Sequence, residues 1–228
     1  MTTTQLSLPE LADCRRCQRL VDYLAHLPPK SGRTRDDYWN KPVPGFGDLQ
    51  AQIWLVGLAP GAHGANRTGR PFTGDGAGDF MYPLLYQAGF SNQPQVSCVG
   101  DGLQLKNIYI SNAVKCVPPG NKPTAAEFNN CRQFMLQEWQ QLSQVRVLFA
   151  LGRDAFMSVL RLLKQAGVIE RLSDYPFQHN VAYPLANGQW LLSSYHTSRY
   201  NVQTRRITAP LFLKVLDHAY LLAQTPVS

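Results

Sequence analysis

Four short, almost wholly apolar runs constrain the fold of this chain more than any other feature. Ile53 to Leu58 (IWLVGL) is nearly unbroken and stops at Ala59-Pro60-Gly61. Ile108 to Val114 (IYISNAV), Val145 to Leu151 (VRVLFAL) and Trp190 to Tyr195 (WLLSSY) have the same character. Runs this short and this continuous read as strands buried on both faces. Segments with helical spacing lie between them. Asp79 to Phe90 carries Phe80, Leu84 and Leu85 at helical intervals, with Gly89 as a stop. Thr124 opens the next helix: Pro123 precedes it, and Glu127 follows in capping-box spacing before a run to about Leu142. Arg153 to Ala166 is helical up to Gly167, and Arg205 to Ala223 reads as the last helix. Strands alternating with helices predict an α/β fold, a three-layer α/β/α arrangement around a central, mostly parallel four-stranded sheet. Residues 18–50, rich in Pro, Gly, Lys and Arg, read as a long irregular region.

The chain has 228 residues, 44% of them hydrophobic, enough for one compact domain over 1–228 to bury a substantial core. No stretch approaches the roughly 20 apolar residues needed to cross a bilayer. Met1 to Glu10 lacks a basic start followed by an apolar run, so no secretory signal is expected. These readings predict a cytoplasmic protein with no membrane partner. The net charge of +7 suits a polyanion such as DNA or RNA. Arg15, Arg16 and Arg19 cluster near the start, Arg67 and Arg70 lie in a glycine-rich loop, and Arg199, Arg205 and Arg206 lie near the end. A fold that gathers them would make one basic stripe. Five cysteines in a cytoplasmic chain argue against a disulfide framework. Cys14 and Cys17 form a C-x2-C pair, and 14 residues separate Cys116 from Cys131. Four thiolates in two pairs can bind zinc or an iron–sulfur cluster, and the second spacing is unlike the close pairs of a zinc ribbon.

In an open parallel sheet the site lies beyond the carboxyl ends of the strands. The loop after the first strand, GLAPGAHGANRTGRPFTGDGAG (57–78), contains seven glycines among 22 residues. Glycine lets backbone N–H groups approach a ligand closely. No G-K-[ST] follows, so this is not a phosphate-binding P-loop. His63, Asn66, Arg67, Arg70, Thr73 and Asp75 are the polar residues set among the glycines. Asn112 sits at the tip of the second strand, where its amide offers both a donor and an acceptor. His196 follows the fourth strand in Tyr195-His196-Thr197-Ser198-Arg199-Tyr200-Asn201. Each signal alone is compatible with a turn, a cap or a structural histidine. Their common position at strand ends makes a site.

Together these segments resemble the uracil-DNA glycosylase superfamily, and most closely its family 5, the bacterial and archaeal branch with a broad substrate range. The likeness rests on GLAPGAHGANRTGRPFTGD (57–75), ISNAVKCVPPGNKPT (110–124), YHTSRYN (195–201) and the two cysteine pairs. It runs from about residue 14 to 206. The resemblance implies that Cys14, Cys17, Cys116 and Cys131 ligate a [4Fe–4S] cluster that staples the N-terminal segment, about 10–50, onto the middle loop, with Arg15 and Arg16 beside it. Cys98 is left over as a non-ligand.

It also implies a glycosylase that flips a nucleotide into a pocket and cleaves the base–sugar bond of uracil, and of other deaminated or damaged bases. Phe72 resembles the family's stacking aromatic. Asn112 would bond the base edge, and His196 would donate to the uracil carbonyl as negative charge grows on the leaving base. Gly57, Ala59, Gly61 and His63 complete the expected substrate contacts. Branches with GQDPY or GEAPG supply an early carboxylate, whereas this chain has Leu58-Ala59 there. Asp75 is the nearest replacement, and Asp79 a weaker one that could simply start the following helix. Gly61 stands where the GQDPY branch has a bulky Tyr, which implies an open pocket. Asn66, Arg67, Arg70, Ser198, Arg199 and Asn201 are the expected DNA contacts, with Tyr200 or Arg199 probing the duplex. The expected partner is double-stranded DNA containing uracil or other damaged bases, met by a monomer. The alternatives are a strictly uracil-specific enzyme of the family 4 type, a non-catalytic iron–sulfur DNA-binding module, and a zinc protein with a different nucleotide ligand.

Overall fold

A computed structural model describes residues 5–225 and 227. The leader reading of Met1 to Glu10 falls in part on residues 1–4, outside the described residues. The four apolar runs form strands β2 (Ile53–Gly57), β3 (Ile108–Asn112), β4 (Val147–Leu151) and β6 (Trp190–Ser194). They pair in parallel in the order β3-β2-β4-β6. The sheet has six strands rather than four. β1 (Phe46–Gly47) and β5 (Val181–Pro184) pair antiparallel on the outer sides of β3 and β6. A two-residue strand and one ending in proline carry too little alternation to read from sequence, and edge positions tolerate both.

Along the central strands the side chains alternate between two cores. Ile53, Leu55, Val147 and Phe149 pack with α3 (Gly76–Gln87) and α7 (Ala209–Gln224). Trp54, Val56, Leu148 and Ala150 pack on the other face with α4 (Ala125–Gln141) and α5 (Arg153–Gln165). Trp54, Phe149, Phe156 and Phe212 are fully buried, each contributing about 1.5–3 kcal/mol of transfer free energy. This is why both faces of the sheet had to be apolar.

Three helical boundaries depart from the sequence reading. The segment 18–50 contains α1 (Gln18–His26), on which Leu20 and Leu24 bury one stripe. Its polar outer face and the prolines after it mask that stripe. α3 begins at Gly76 with Asp75 as its N-cap, so Asp79 lies inside the first turn. The expected last helix is two. After the short α2 (Ala65–Thr68) of the first loop, α6 is Arg199–Gln203, and Arg205 then turns left-handed (φ 57°) before α7 starts with Pro210 in its first turn. A proline fits a first turn and breaks an interior. The capping box at Thr124 and Glu127 forms as expected. Among the described residues no helix is long and apolar enough to cross a membrane.

Candidate active site

Beyond the carboxyl ends of β2, β3 and β6 the chain leaves a cleft of about 360 Å³. It is lined by Leu58, Ala59, Gly61, Phe72, Asp75, Asn112, His196, Ser198 and Arg199, among others. The first two loops run side by side, because Ala113 and Val114 donate to the carbonyls of Gly57 and Leu58 at 2.9 Å. Gly57 is the floor of this junction. A side chain there would meet Asn112 Oδ1 at 2.4 Å and Phe72 Cζ at 2.5 Å, so only glycine lets the amide and the ring stand together.

Phe72 holds a left-handed backbone (φ 54°), uncommon for a bulky residue and a form of strain that gathers at functional sites. It is buried with one core, lines the cleft, and lies 6.0 Å from the His196 ring between centroids. Asn112 is also buried, and its side chain makes no hydrogen bond among the described residues. Asp75 has two different oxygens. Oδ1 accepts from the N–H groups of Ala77 and Gly78 at 3.0 Å and caps α3. Oδ2 faces Gly61 and Gly64, and a side chain at Gly64 would come within 2.5 Å of it. The cap thus fixes one oxygen and leaves the other on the cleft side.

His196 is half-buried, its body packed and its edge on the cleft. Burial pushes its pKa below the ordinary histidine value, with the Asp75 carboxylate opposing. The ring is therefore neutral at physiological pH and has one N–H to donate. Asn201 Nδ2 donates to His196 O at 2.8 Å, so Asn201 braces the histidine from behind. Ser198 Oγ accepts from Asn201 N at 3.4 Å and caps α6. Arg199 and Tyr200 are exposed beside the cleft.

Other expected site residues lie elsewhere. Arg70 is buried and pairs with Asp101 through both guanidinium N–H groups at 2.8 and 2.6 Å, over the Phe46 ring. Burial raises the Asp101 pKa, but Arg70 and the N–H groups of Ser97 and Leu103 outweigh it and hold the carboxyl well below the usual range. Arg70 braces the loop and is not free to meet DNA. Asn66 is fully buried, with Nδ2 bonded to Asn40 Oδ1 at 3.1 Å, and is likewise withdrawn. His63 is exposed outside the cleft lining, with Nδ1 2.8 Å from the Tyr38 hydroxyl. Arg67 is half-buried and donates to His63 O at 3.1 Å. Sequence reasoning missed Asn121, which lines the cleft with a left-handed backbone. The Pro-Pro-Gly-Asn run around it was the available signal.

The four paired cysteines line one small cavity together with Leu20, Val21 and Asn130. Its walls come from the start of α1, the turn after β3 and one face of α4. Burial pushes the Cys131 thiol up to about 11 and raises Cys116 and Cys17 as well, with the neighbouring cysteines adding to the shift. Two N–H groups point at sulfur: Lys115 N to Cys131 and Asn130 Nδ2 to Cys17, both at 3.4 Å. Among the described residues no three Cys, His, Asp or Glu side chains converge on one metal-ion position. The thiols ring a cavity and do not meet at a point. Arg19 ties α1 to Glu127 of α4 at 2.8 and 2.9 Å. Arg15 lines a neighbouring hollow that shares Cys14 and Val21 with this cavity, Arg16 is paired with Glu10 at 2.6 Å, and Cys98 is exposed elsewhere.

The family model of the uracil DNA glycosylase superfamily matches residues 44–219. A type-5 uracil-DNA glycosylase of Thermus thermophilus is 50% identical over 214 residues, 93% of this chain and 95% of that protein. The type-5 uracil-DNA glycosylase of Mycobacterium leprae is 43% identical over 224 residues, covering 95% and 96%. That of Pyrobaculum aerophilum is 39% identical over 209 residues, covering 92% and 88%.

Proposed function

The chain belongs to the uracil DNA glycosylase superfamily, and on that premise we propose how its cleft carries out base removal and which bases it accepts. It is a DNA glycosylase that removes uracil and so starts base excision repair. The observation that carries the mechanism is the convergence of Phe72, Asp75, Asn112 and His196 on one cleft. The target nucleotide leaves the stack at a cost of a few kcal/mol. The base then lies against Phe72, and the unpaired amide of Asn112 reads its edge. Neutral His196 donates to the carbonyl oxygen on which negative charge develops, and donors preorganised in this way are often the largest catalytic contribution. Asp75 Oδ2 stabilises the oxocarbenium-like sugar or orients the attacking water. Ser198, Arg199 and Tyr200 meet the backbone of double-stranded DNA, which makes binding salt-dependent. The absence of a side chain at Gly61 supports acceptance of bases beyond uracil. Supporting a [4Fe–4S] group are four thiols around one cavity and the two N–H groups aimed at sulfur. Cys14, Cys17, Cys116 and Cys131 would hold the group, which would tie α1, α4 and the turn after β3 together.

Two experiments test this reading. Duplexes carrying one lesion each are expected to release uracil and hypoxanthine when incubated with the protein, whereas binding without release would identify a non-catalytic DNA-binding module, and uracil release alone a uracil-specific enzyme. Metal analysis is expected to give about four iron per chain with matching sulfide, and stoichiometric zinc would remove the cluster.

A further inference from the structure

His196 sits in an irregular segment between β6 and α6, so something other than secondary structure must hold it. Asn201 holds it from the C-terminal side. On the N-terminal side the antiparallel ladder between β5 and β6 runs out. Asn180 N donates to Ser193 O at 2.7 Å, and among the described residues no backbone carbonyl takes the N–H of Tyr195. That N–H goes to a side chain instead, His179 Nδ1, at 3.3 Å. The His179 ring also stacks flat on the Tyr195 ring, 4.8 Å between centroids and 7° from parallel. Arg206 lies over the same Tyr195 ring, its Cζ 4.4 Å from the centroid. Ser194 Oγ donates to Tyr195 O at 3.0 Å and lies 3.3 Å from the same His179 nitrogen.

We infer that His179 is a positioning residue for His196: its Nδ1 completes the ladder at Tyr195 and sets where the next residue enters the cleft. The inference rests on the reading of His196 as the donor to the leaving base. Accepting from Tyr195 N–H requires a bare Nδ1, so His179 works as the neutral tautomer protonated at Nε2. The bond and the stack are separable. His179→Asn puts an acceptor oxygen where Nδ1 was and removes most of the stack, His179→Phe keeps the stack and removes the acceptor, and His179→Ala removes both.

Single-turnover base release from a U·G duplex is expected to fall by on the order of 10- to 100-fold in the Ala and Phe variants, because small misplacements of a reacting group are costly, and to stay within about threefold of wild type in the Asn variant. Affinity for a duplex with an uncleavable uracil analogue should stay unchanged in all three. Normal release in His179→Ala, normal release in His179→Phe, or an Asn variant as slow as Ala would each overturn the inference. Hydrogen exchange of the Tyr195 amide in the unmodified protein needs no variant to fold: protection is expected, and exchange at the rate of an open loop would overturn it. If the unmodified protein releases no uracil, the glycosylase reading fails while this amide result still stands.

Discussion

The cleft and the cysteine cavity hang from the end of the same strand and are built in opposite ways. Asn112 closes β3 in the cleft, and Cys116 follows on the cavity wall. In the cleft the side chains are set by a cap for Asp75, a brace for His196 and missing side chains at Gly57 and Gly64. The cavity is mostly apolar and joins segments far apart in sequence. The difference teaches which changes stay local. A single substitution in the cleft should alter chemistry with little effect on the fold, whereas one at the cavity should loosen the packing of α1 and α4.

Between the two regions lies a buried polar network. Lys115 Nζ meets both carboxylate oxygens of Glu138 at 2.7 Å, Ser111 Oγ donates to Glu138 at 2.9 Å, and Trp54 Nε1 donates to Ser111 at 3.0 Å. Ser111 precedes Asn112 and Lys115 precedes Cys116, so the network braces both regions from one point. Lys115→Met leaves the Glu138 charge buried without its partner, and the unfolding free energy should fall by about 3–5 kcal/mol in chemical denaturation. Removing the charge as well, in Lys115→Met with Glu138→Leu, should recover most of that loss. A single variant as stable as wild type would break the comparison, since the two regions would then stand independently.

The legible parts of the molecule were those where residue type alone carries the physics. Central strands must be apolar on both faces, and Thr124 with Glu127 caps a helix wherever it begins. The illegible parts depend on pairings across the chain. Arg70 reads as a free cation until Asp101 takes it, and Asn66 reads as a loop amide until Asn40 does. The Glu138 partner of Lys115 and the acceptor at His179 carry no local signature. The short edge strands β1 and β5 exist because a neighbour offers hydrogen bonds, which no pattern within them announces. Asp75 was readable as a cap or as a reacting carboxylate: Oδ1 makes the cap, and Oδ2 is left facing Gly61 and Gly64.

That division is where the mechanism is most exposed. Asp75→Asn keeps an oxygen for the N–H groups of Ala77 and Gly78, because asparagine caps helices as well as aspartate does, and it removes the charge from the oxygen facing Gly61 and Gly64. Single-turnover release of uracil from a U·G duplex, with the melting temperature measured alongside, tests the account most directly. An unchanged melting temperature with release slowed by on the order of 100-fold is the predicted result. Near-normal release by a stably folded Asp75→Asn protein would contradict it and leave Asp75 as a helix cap alone.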